Sequence, residues 1–335
     1  MGEIEGDMTK MLVIGDEART RTYLPDLPIV RESELVVVQR GTPDEQILAQ
    51  AADADFIMAD AISPVSAQLI AGMPNLKLIH SEGVAFNAID LEAARAHGVP
   101  VCNNAGANAA AVAEQTVLLM LACLRDAVQA DAAVRRGEQI QTKERMMVEG
   151  IRELGDCTVG FIGYGAIAQA CVQRLAGWGC RMLYNKRHPL PAEREAELGI
   201  AFASVEEIAE RCDIVSLHVP VTDATRGMVD EAFLARMKPG AILINTARGE
   251  IVDNAALAAA LESGSICMAG LDTIAPEPVQ PDNPLLNLSP AAARRLVLSP
   301  HIGGVTQGLF RRAHRTVWEN AARVAAGLPP INIVS

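Results

Sequence analysis

Residues Thr158–Arg187 read TVGFIGYGAIAQACVQRLAGWGCRMLYNKR, and the reading of the fold starts from the way this stretch is punctuated. Thr158–Ile162 is a short apolar run with β-branched residues, the pattern of a buried strand. Gly163-Tyr164-Gly165 makes a tight turn. Ala166 to Trp178 repeats its apolar residues at helical spacing, and Cys180–Tyr184 returns as a second strand. The first turn of this unit therefore carries G-x-G-x-x-A. Gly163 can take backbone angles that a side chain forbids, and Gly165 lets a pyrophosphate approach the backbone. Ala168 is small enough for the helix to pack on the strand, and Ala166 and Ile167 begin a helix whose N–H groups await an anion. The motif alone says little; between a strand and a helix, with a second strand behind, it reads as a dinucleotide site.

About 20 residues beyond such a turn, dinucleotide sites usually carry an acid for the ribose hydroxyls. Here the position falls at Asn185, followed by Lys186 and Arg187. A neutral residue removes the carboxylate that would repel a 2′-phosphate, and two cations attract one. The turn thus favours NADP(H), with NAD(H) possible. A solvated basic turn that touches no ligand is the alternative.

The chain has 335 residues, which suits two domains, and half of them are hydrophobic. A net charge of −12 argues against nucleic acid or an anionic membrane as the main partner. The opening MGEIEGDMTKMLVIG is acidic and lacks signal-peptide regions, and no apolar run approaches a membrane span. The 7 cysteines are scattered, with no C-x-x-C pair, which suits a reducing cytoplasm and no metal site.

Short apolar runs at Lys10–Gly15, Leu35–Val38, Phe56–Ala59, Leu76–His80 and Val99–Cys102 alternate with helical patterns. Among those helices, one opens at Ser63-Pro64, with Ser63 as N-cap. A long helix without Gly or Pro is expected from Asn108 to about Arg136, either bridging domains, packing on a second subunit, or plainly in a core. Past the nucleotide unit, Ser204 and Glu207 form a capping box. Strands follow at Asp213–Leu217, Ala241–Asn245, Ile266–Leu271 and Leu296–Leu298, and a final helix spans roughly Gln307–Ala326. The alternation predicts an α/β protein of two doubly wound, parallel-sheet, Rossmann-like domains. Residues 1–105 and 300–335 form a flavodoxin-like substrate domain, and the nucleotide-binding domain, 106–299, is inserted in it, with the site in the cleft between them.

Three residues suited to chemistry follow strands in the second half: Arg248 in NTARGEIVD, Glu277 in LDTIAPEP and His301 in SPHIGG. Ligands of open parallel sheets bind outside the carboxyl ends of the strands. Arg offers a cationic fork for a carboxylate or a polarised carbonyl, and His passes protons near neutral pH when a carboxylate orients it. Each also has a plain reading: an ion-paired Arg, a solvent-facing Glu, a His that fills a turn.

Taken in order, GVAFNAID at 83–90, NNAGANAAAVAEQT at 103–116, VGFIGYGAIA at 159–168, LHVPVTDATRGMV, NTARGEIVDNAAL, AGLDTIAPEP and SPHIGG resemble the motifs of the D-isomer-specific 2-hydroxyacid dehydrogenase family. The resemblance runs from about Lys10 to the C-terminus. It implies NAD(P)H-dependent reduction of a small 2-oxo acid, such as glyoxylate or hydroxypyruvate, to the D-2-hydroxy acid. Arg248 would bind substrate, and His301, held by Glu277, would be the acid/base. Gly83, Val84 and Ala85 would meet the substrate carboxylate, with Asn108 nearby. Gly163, Gly165, Ala166 and Ile167 would cover the pyrophosphate; Pro220, Thr225, Thr246, Ala247, Asp272, Gly303 and Thr116 would line the rest of the cofactor. A homodimer through the nucleotide domain is implied as well. Departures from the family pattern are Ala85 and Ala168 in place of Gly, Thr273-Ile274 after Asp272, and the basic turn, which resembles that of NADP-using glyoxylate and hydroxypyruvate reductases. Phosphite or phosphoglycerate dehydrogenase-like enzymes, and dinucleotide-sensing corepressor-like proteins, are the alternatives.

Overall fold

A computed structural model describes residues 8–335; the acidic opening, residues 1–7, lies outside the described residues. The chain divides into two compact units, one formed by the residues up to Asn108 with Thr306–Ser335, the other by Ala109–Val305.

In the first unit, strands β1 (Thr9–Ile14), β2 (Ser33–Val38), β3 (Phe56–Ala59), β4 (Leu78–Ser81) and β5 (Val101–Cys102) form one parallel sheet in the order β2-β1-β3-β4-β5. Alternate side chains leave the sheet on opposite faces. Leu12, Ile14, Ile57, Ala59 and Ile79 build one core layer. Met11, Val13, Phe56, Met58 and Leu78 meet Val317, Trp318 and Ala321 of the helix Gln307–Ala325 on the other. That helix is the C-terminal segment the sequence sends back to the first domain.

In the second unit, β6 (Thr158–Ile162), β7 (Arg181–Asn185), β8 (Ile200–Phe202), β9 (Ile214–Leu217), β10 (Ile242–Asn245), β11 (Met268–Leu271) and β12 (Leu296–Leu298) form a parallel sheet ordered β12-β11-β10-β9-β6-β7-β8. The order reverses between β6 and β9, the switch point at which doubly wound sheets bind ligands. Phe161, Tyr184, Ile214 and Ile244 face one core layer, and Leu183, Val215, Leu243 and Leu271 the other.

Local structure departs from the sequence reading at a few places. The helix expected at Ser63-Pro64 begins at Ala67, capped by Ser66, whose side chain accepts from the Leu69 N–H. Val65 is instead drawn into a parallel bridge with Ile89, which holds the backbone extended. The helix expected over 108–136 breaks into Ala109–Leu124 and Ala127–Arg135. Asp126 takes a left-handed conformation (φ 48°), and its carboxylate reaches Arg145 on a further helix, Gln139–Glu149, that the sequence reading did not list. Asp visits this conformation more readily than most residues, so no Gly or Pro marks the break. The helix Ala192–Leu198 and the edge strand β8 also escaped, because two of the three β8 residues are exposed and give no apolar run.

The unit boundaries fall past residues 105 and 299 for local reasons. Ala107 stays with the first unit, where its carbonyl accepts from Arg312 at 3.0 Å. Ile302 and Gly303 stay with the second, where their N–H groups donate to Asp272. Among the described residues, no helix is long and apolar enough to cross a membrane.

Candidate active site

The cradle at the switch point is built from backbone. Gly163 has φ +92°, and a Cβ there would lie 2.7 Å from the carbonyl carbon and oxygen of His218 at the end of β9. Only glycine fits both the angle and the gap. Gly165 caps the helix Ala166–Leu175 with no side-chain bond, and a Cβ on it would meet nothing within 4 Å. The first turn of that helix therefore faces open space with its N–H groups uncapped, which fits the pyrophosphate of a dinucleotide. Ala168 is fully buried on the strand side.

Asn185, at the end of β7, pairs in register with Ile162, and its carbonyl accepts the Gly163 N–H. Its side-chain amide donates to Ala203 at 2.9 Å. Lys186 and Arg187 follow, exposed, with no carboxylate partner among the described residues. The turn they stand on is tied down by Tyr184, whose buried hydroxyl accepts from Leu190 N–H at 2.6 Å and donates to Glu195 at 2.6 Å. Tyr184 is a positioning group that no motif announced.

Of the remaining residues expected around a cofactor, Thr225 donates to the Pro220 carbonyl at 2.6 Å and so shapes the loop after β9. Thr246 meets Thr116 at 2.8 Å. Thr116 is fully buried and also donates to Val112, so it supports Thr246 from behind rather than reaching a ligand itself. Ala247 is held by the buried Asn245, which accepts the Ala247 N–H at 3.0 Å and donates to the Arg248 carbonyl at 2.8 Å.

Arg248, Glu277 and His301 follow β10, β11 and β12, three neighbours in the sheet. The Arg248 guanidinium is exposed; it donates to the Ala247 carbonyl and pairs with no acid among the described residues. The next residue, Gly249, lies so close to the Glu277 loop that a Cβ would stand 2.2 Å from the Ala275 nitrogen. Asn254 and Asn283 both donate to the Ala275 carbonyl and pin that loop from below. Glu277 and His301 meet: Nδ1 of the ring lies 2.8 Å from each carboxylate oxygen. With Nδ1–H donated to the carboxylate, Nε2 is the ring atom left for proton exchange. Close packing of Gly249 on the Ile274–Ala275 backbone ties the Arg248 loop to the Glu277 loop, while the Arg248 side chain bonds neither Glu277 nor His301 among the described residues.

Asp272, 2% exposed, organises the His301 loop. Its carboxylate accepts from Ser299 Oγ, from Ile302 N–H at 3.0 Å and from Gly303 N–H at 2.8 Å, while Gln115 donates to Ser299. A Cβ on Gly303 would press on the same carboxylate at 2.9 Å. His301 itself sits at φ 55°, a left-handed angle that this loop imposes. Burial pushes His218 down to about 3, which leaves it uncharged at neutral pH and unfit as an acid.

In the first unit, the loop after β4 turns its carbonyls inward. Asn104 binds the carbonyls of Glu82 and Gly83, Asn103 that of Val84, and Ser81 that of Ala85. The Gly83 N–H is used on Ser81 Oγ at 3.2 Å. The N–H groups of Val84 and Ala85 have no partner among the described residues, so two of the three donors expected of this loop are available to an anion. Gly83 is required where it stands, since a Cβ would meet Ala61 at 2.6 Å. Asn108 is half-buried at the edge of the same unit.

A Rossmann-type switch-point cradle and a Glu–His pair on adjacent strand ends define a dinucleotide-binding protein equipped for proton transfer. The family model described as D-isomer specific 2-hydroxyacid dehydrogenase, NAD binding domain, matches residues 117–303. Over 287 residues the chain is 36% identical to the D-3-phosphoglycerate dehydrogenase of Mycobacterium tuberculosis, covering 86% of this chain and 52% of that protein. It thus spans about half the length of these relatives. With the glyoxylate reductase of Aeropyrum pernix it shares 36% identity over 296 residues, 88% of this chain and 86% of that one. The apo crystal structure of Rhodotorula graminis D-mandelate dehydrogenase superposes with a TM-score of 0.81 at 28% identity, over 98% of each chain. The chain belongs to the D-isomer-specific 2-hydroxyacid dehydrogenase family.

Proposed function

We propose that this protein is a D-2-hydroxyacid dehydrogenase that reduces a small 2-oxo acid, glyoxylate or hydroxypyruvate, with NADPH preferred over NADH. The observation that carries the reading is the Glu277–His301 pair at 2.8 Å, formed between the loops that follow β11 and β12, with Arg248 in the loop after the neighbouring β10. In this proposal Gly163, Gly165, Ala166 and Ile167 hold the pyrophosphate, and Lys186 and Arg187 hold the 2′-phosphate. When bound, the nicotinamide supplies the hydride in reduction and takes it up in oxidation. Arg248 binds the substrate and polarises its carbonyl with a fixed cationic fork. His301 gives a proton from Nε2 to the carbonyl oxygen in reduction and takes it back in oxidation. Glu277 keeps the ring oriented and balances its charge when both nitrogens carry protons. The Val84 and Ala85 N–H groups are the donors proposed for the substrate carboxylate.

A homodimer in a cytoplasmic setting belongs to the same proposal. The helix Gln139–Glu149 buries none of its residues, and Ile140, Met147 and Val148 on it are 57, 74 and 89% exposed. Val128, Val134 and Ile151 nearby in the chain are also exposed, which gives a second copy an apolar surface to cover.

The test is oxidation of NADPH and NADH in parallel with glyoxylate, hydroxypyruvate, pyruvate and 3-phosphohydroxypyruvate. Turnover of the small acids supports the reading, and turnover of only the phosphorylated acid would move the protein to the phosphoglycerate class. His301→Ala is expected to retain cofactor binding and to lose at least about 10²-fold in kcat; undiminished turnover would remove His301 from its role.

A further inference from the structure

We infer that Glu82 is a positioning residue for the carboxylate loop, acting through a buried Arg19–Glu82–His314 cluster that aims the Val84 and Ala85 N–H groups. The inference rests on the reading of that loop as the substrate-carboxylate site. Glu82 is 8% exposed and His314 has no exposed surface, although both are ionisable and neither belongs to the proton-transfer pair. One Glu82 oxygen lies 2.8 Å from the Arg19 guanidinium, and the other 2.7 Å from His314 Nε2. With the proton on Nε2 given to Glu82, the His314 Nδ1, which has no partner among the described residues, is left as an acceptor rather than as a buried N–H.

The three members come from parts of the chain far apart: the helix after β1, the residue after β4, and the helix Gln307–Ala325. Aromatic groups close the cluster. Tyr23 stacks on Phe310 with centroids 5.2 Å apart, its edge meets His314, and the Arg19 guanidinium lies over Phe310. A second acid, Asp60 at the end of β3, stands 3.6 Å from Arg19 and 3.8 Å from Arg40.

The main chain of Glu82 is equally constrained. Its N–H donates to Ala59 at 2.7 Å, and its carbonyl accepts from Asn104 at 2.9 Å. Held at both backbone groups and both carboxylate oxygens, this residue fixes the direction in which the next peptides leave the sheet. Those peptides carry the two N–H groups that have no partner among the described residues. A buried ion pair is a poor source of net stability; here Arg19 Nε and His314 Nδ1 have no partner among the described residues, but with both carboxylate oxygens engaged Glu82 itself has little freedom to turn.

The test compares wild type with Glu82→Ala and Glu82→Gln. Steady-state KM and kcat for glyoxylate are measured, together with NADPH affinity and binding of oxalate, followed by the amide NMR signals of Val84 and Ala85. Glu82→Ala should raise KM on the order of tenfold, with kcat and NADPH affinity nearly unchanged, because a misplaced binding group mainly weakens substrate capture. Gln keeps an oxygen for one neighbour and turns an N–H on the other, so it should recover part of the KM loss, and it provides the decisive variant if the alanine protein does not fold. The oxalate shifts at Val84 and Ala85 should weaken in the same order. An unchanged KM and unchanged oxalate shifts in folded Glu82→Gln overturn the inference, as does an equal fall in kcat and cofactor affinity. Wild type that binds oxalate at these amides without turning over any 2-oxo acid refutes the proposed reaction and leaves the positioning role intact; turnover with a silent Glu82 does the reverse.

Discussion

Replacing Lys186 and Arg187 together by alanine tests the contacts proposed for the cofactor 2′-phosphate. Both side chains are exposed and free of carboxylate partners among the described residues, so the change removes no internal ion pair and should leave the fold alone. The loss falls on the ligand. A unit charge about 4 Å from another contributes about 1 kcal/mol in water and about 4 kcal/mol at the effective dielectric of a protein surface. Measured exposed pairs sit near the low end, about 0.2–1 kcal/mol each, and charge-assisted hydrogen bonds from an Arg fork sit above it. Two such contacts to a 2′-phosphate give about 1.5–3 kcal/mol together, which is roughly 10- to 10²-fold in affinity. NADPH should therefore weaken by that factor in the double variant, read as KM and as Kd by nucleotide fluorescence, while NADH stays within about twofold. Raising salt should erode the wild-type preference for NADPH, because exposed charges are screened beyond about 8 Å at physiological ionic strength. Equal weakening of both cofactors, or no weakening of NADPH, would refute the phosphate role. The converse design, Asn185→Asp, carries its own cost: the Asn185 amide donates to Ala203, and an aspartate would set a carboxylate oxygen against that carbonyl.

Three other outcomes follow from the geometry. Gly249→Ala places a methyl 2.2 Å from the Ala275 nitrogen, so the Glu277 loop must move; kcat should fall about 10²-fold or more while cofactor affinity, measured separately, is kept. Gly163→Ala combines a left-handed φ with a 2.7 Å approach to the His218 carbonyl and should abolish dinucleotide binding, as calorimetry with NADPH would reveal. Asp213 is pushed up by burial, but Lys238, the Thr158 N–H and Arg152 outweigh this and hold it below the ordinary carboxylate value of 3.8. Its contribution is then fully present above that value and fades as pH falls through the lower folded value. Asp213→Asn should cost about 1–3 kcal/mol in urea melts at pH 7, with the difference from wild type shrinking below pH of about 4.

Much of the second unit was legible along the chain because its signals are local. Strands such as Thr158–Ile162 and Ile242–Asn245 are buried on both faces and read as unbroken apolar runs, and the turn glycines fall at the positions where a side chain cannot stand. The basic turn after β7, Arg248, Glu277 and His301 were each visible as residues at strand ends, and the ordered motifs identified the family. What the sequence left open is what depends on contacts between distant segments. The 2.8 Å meeting of Glu277 with His301, which only the family resemblance implied, requires β11 and β12 to be neighbours, which no local pattern states. Asp272 binds the His301 loop, Thr116 sits wholly behind Thr246, and Asp126 breaks a helix that composition alone would continue. The carbonyls of the Gly83–Ala85 loop are taken up by Ser81, Asn103 and Asn104, and that inward pairing alone frees the Val84 and Ala85 N–H groups. Glu82 and His314, 232 positions apart, are marked by no motif, and folding alone buries them against each other. Periodicity and turn chemistry act within a few residues and are written in the sequence, whereas buried polar pairing is decided by which chain segments the packed sheets and helices bring within hydrogen-bond reach.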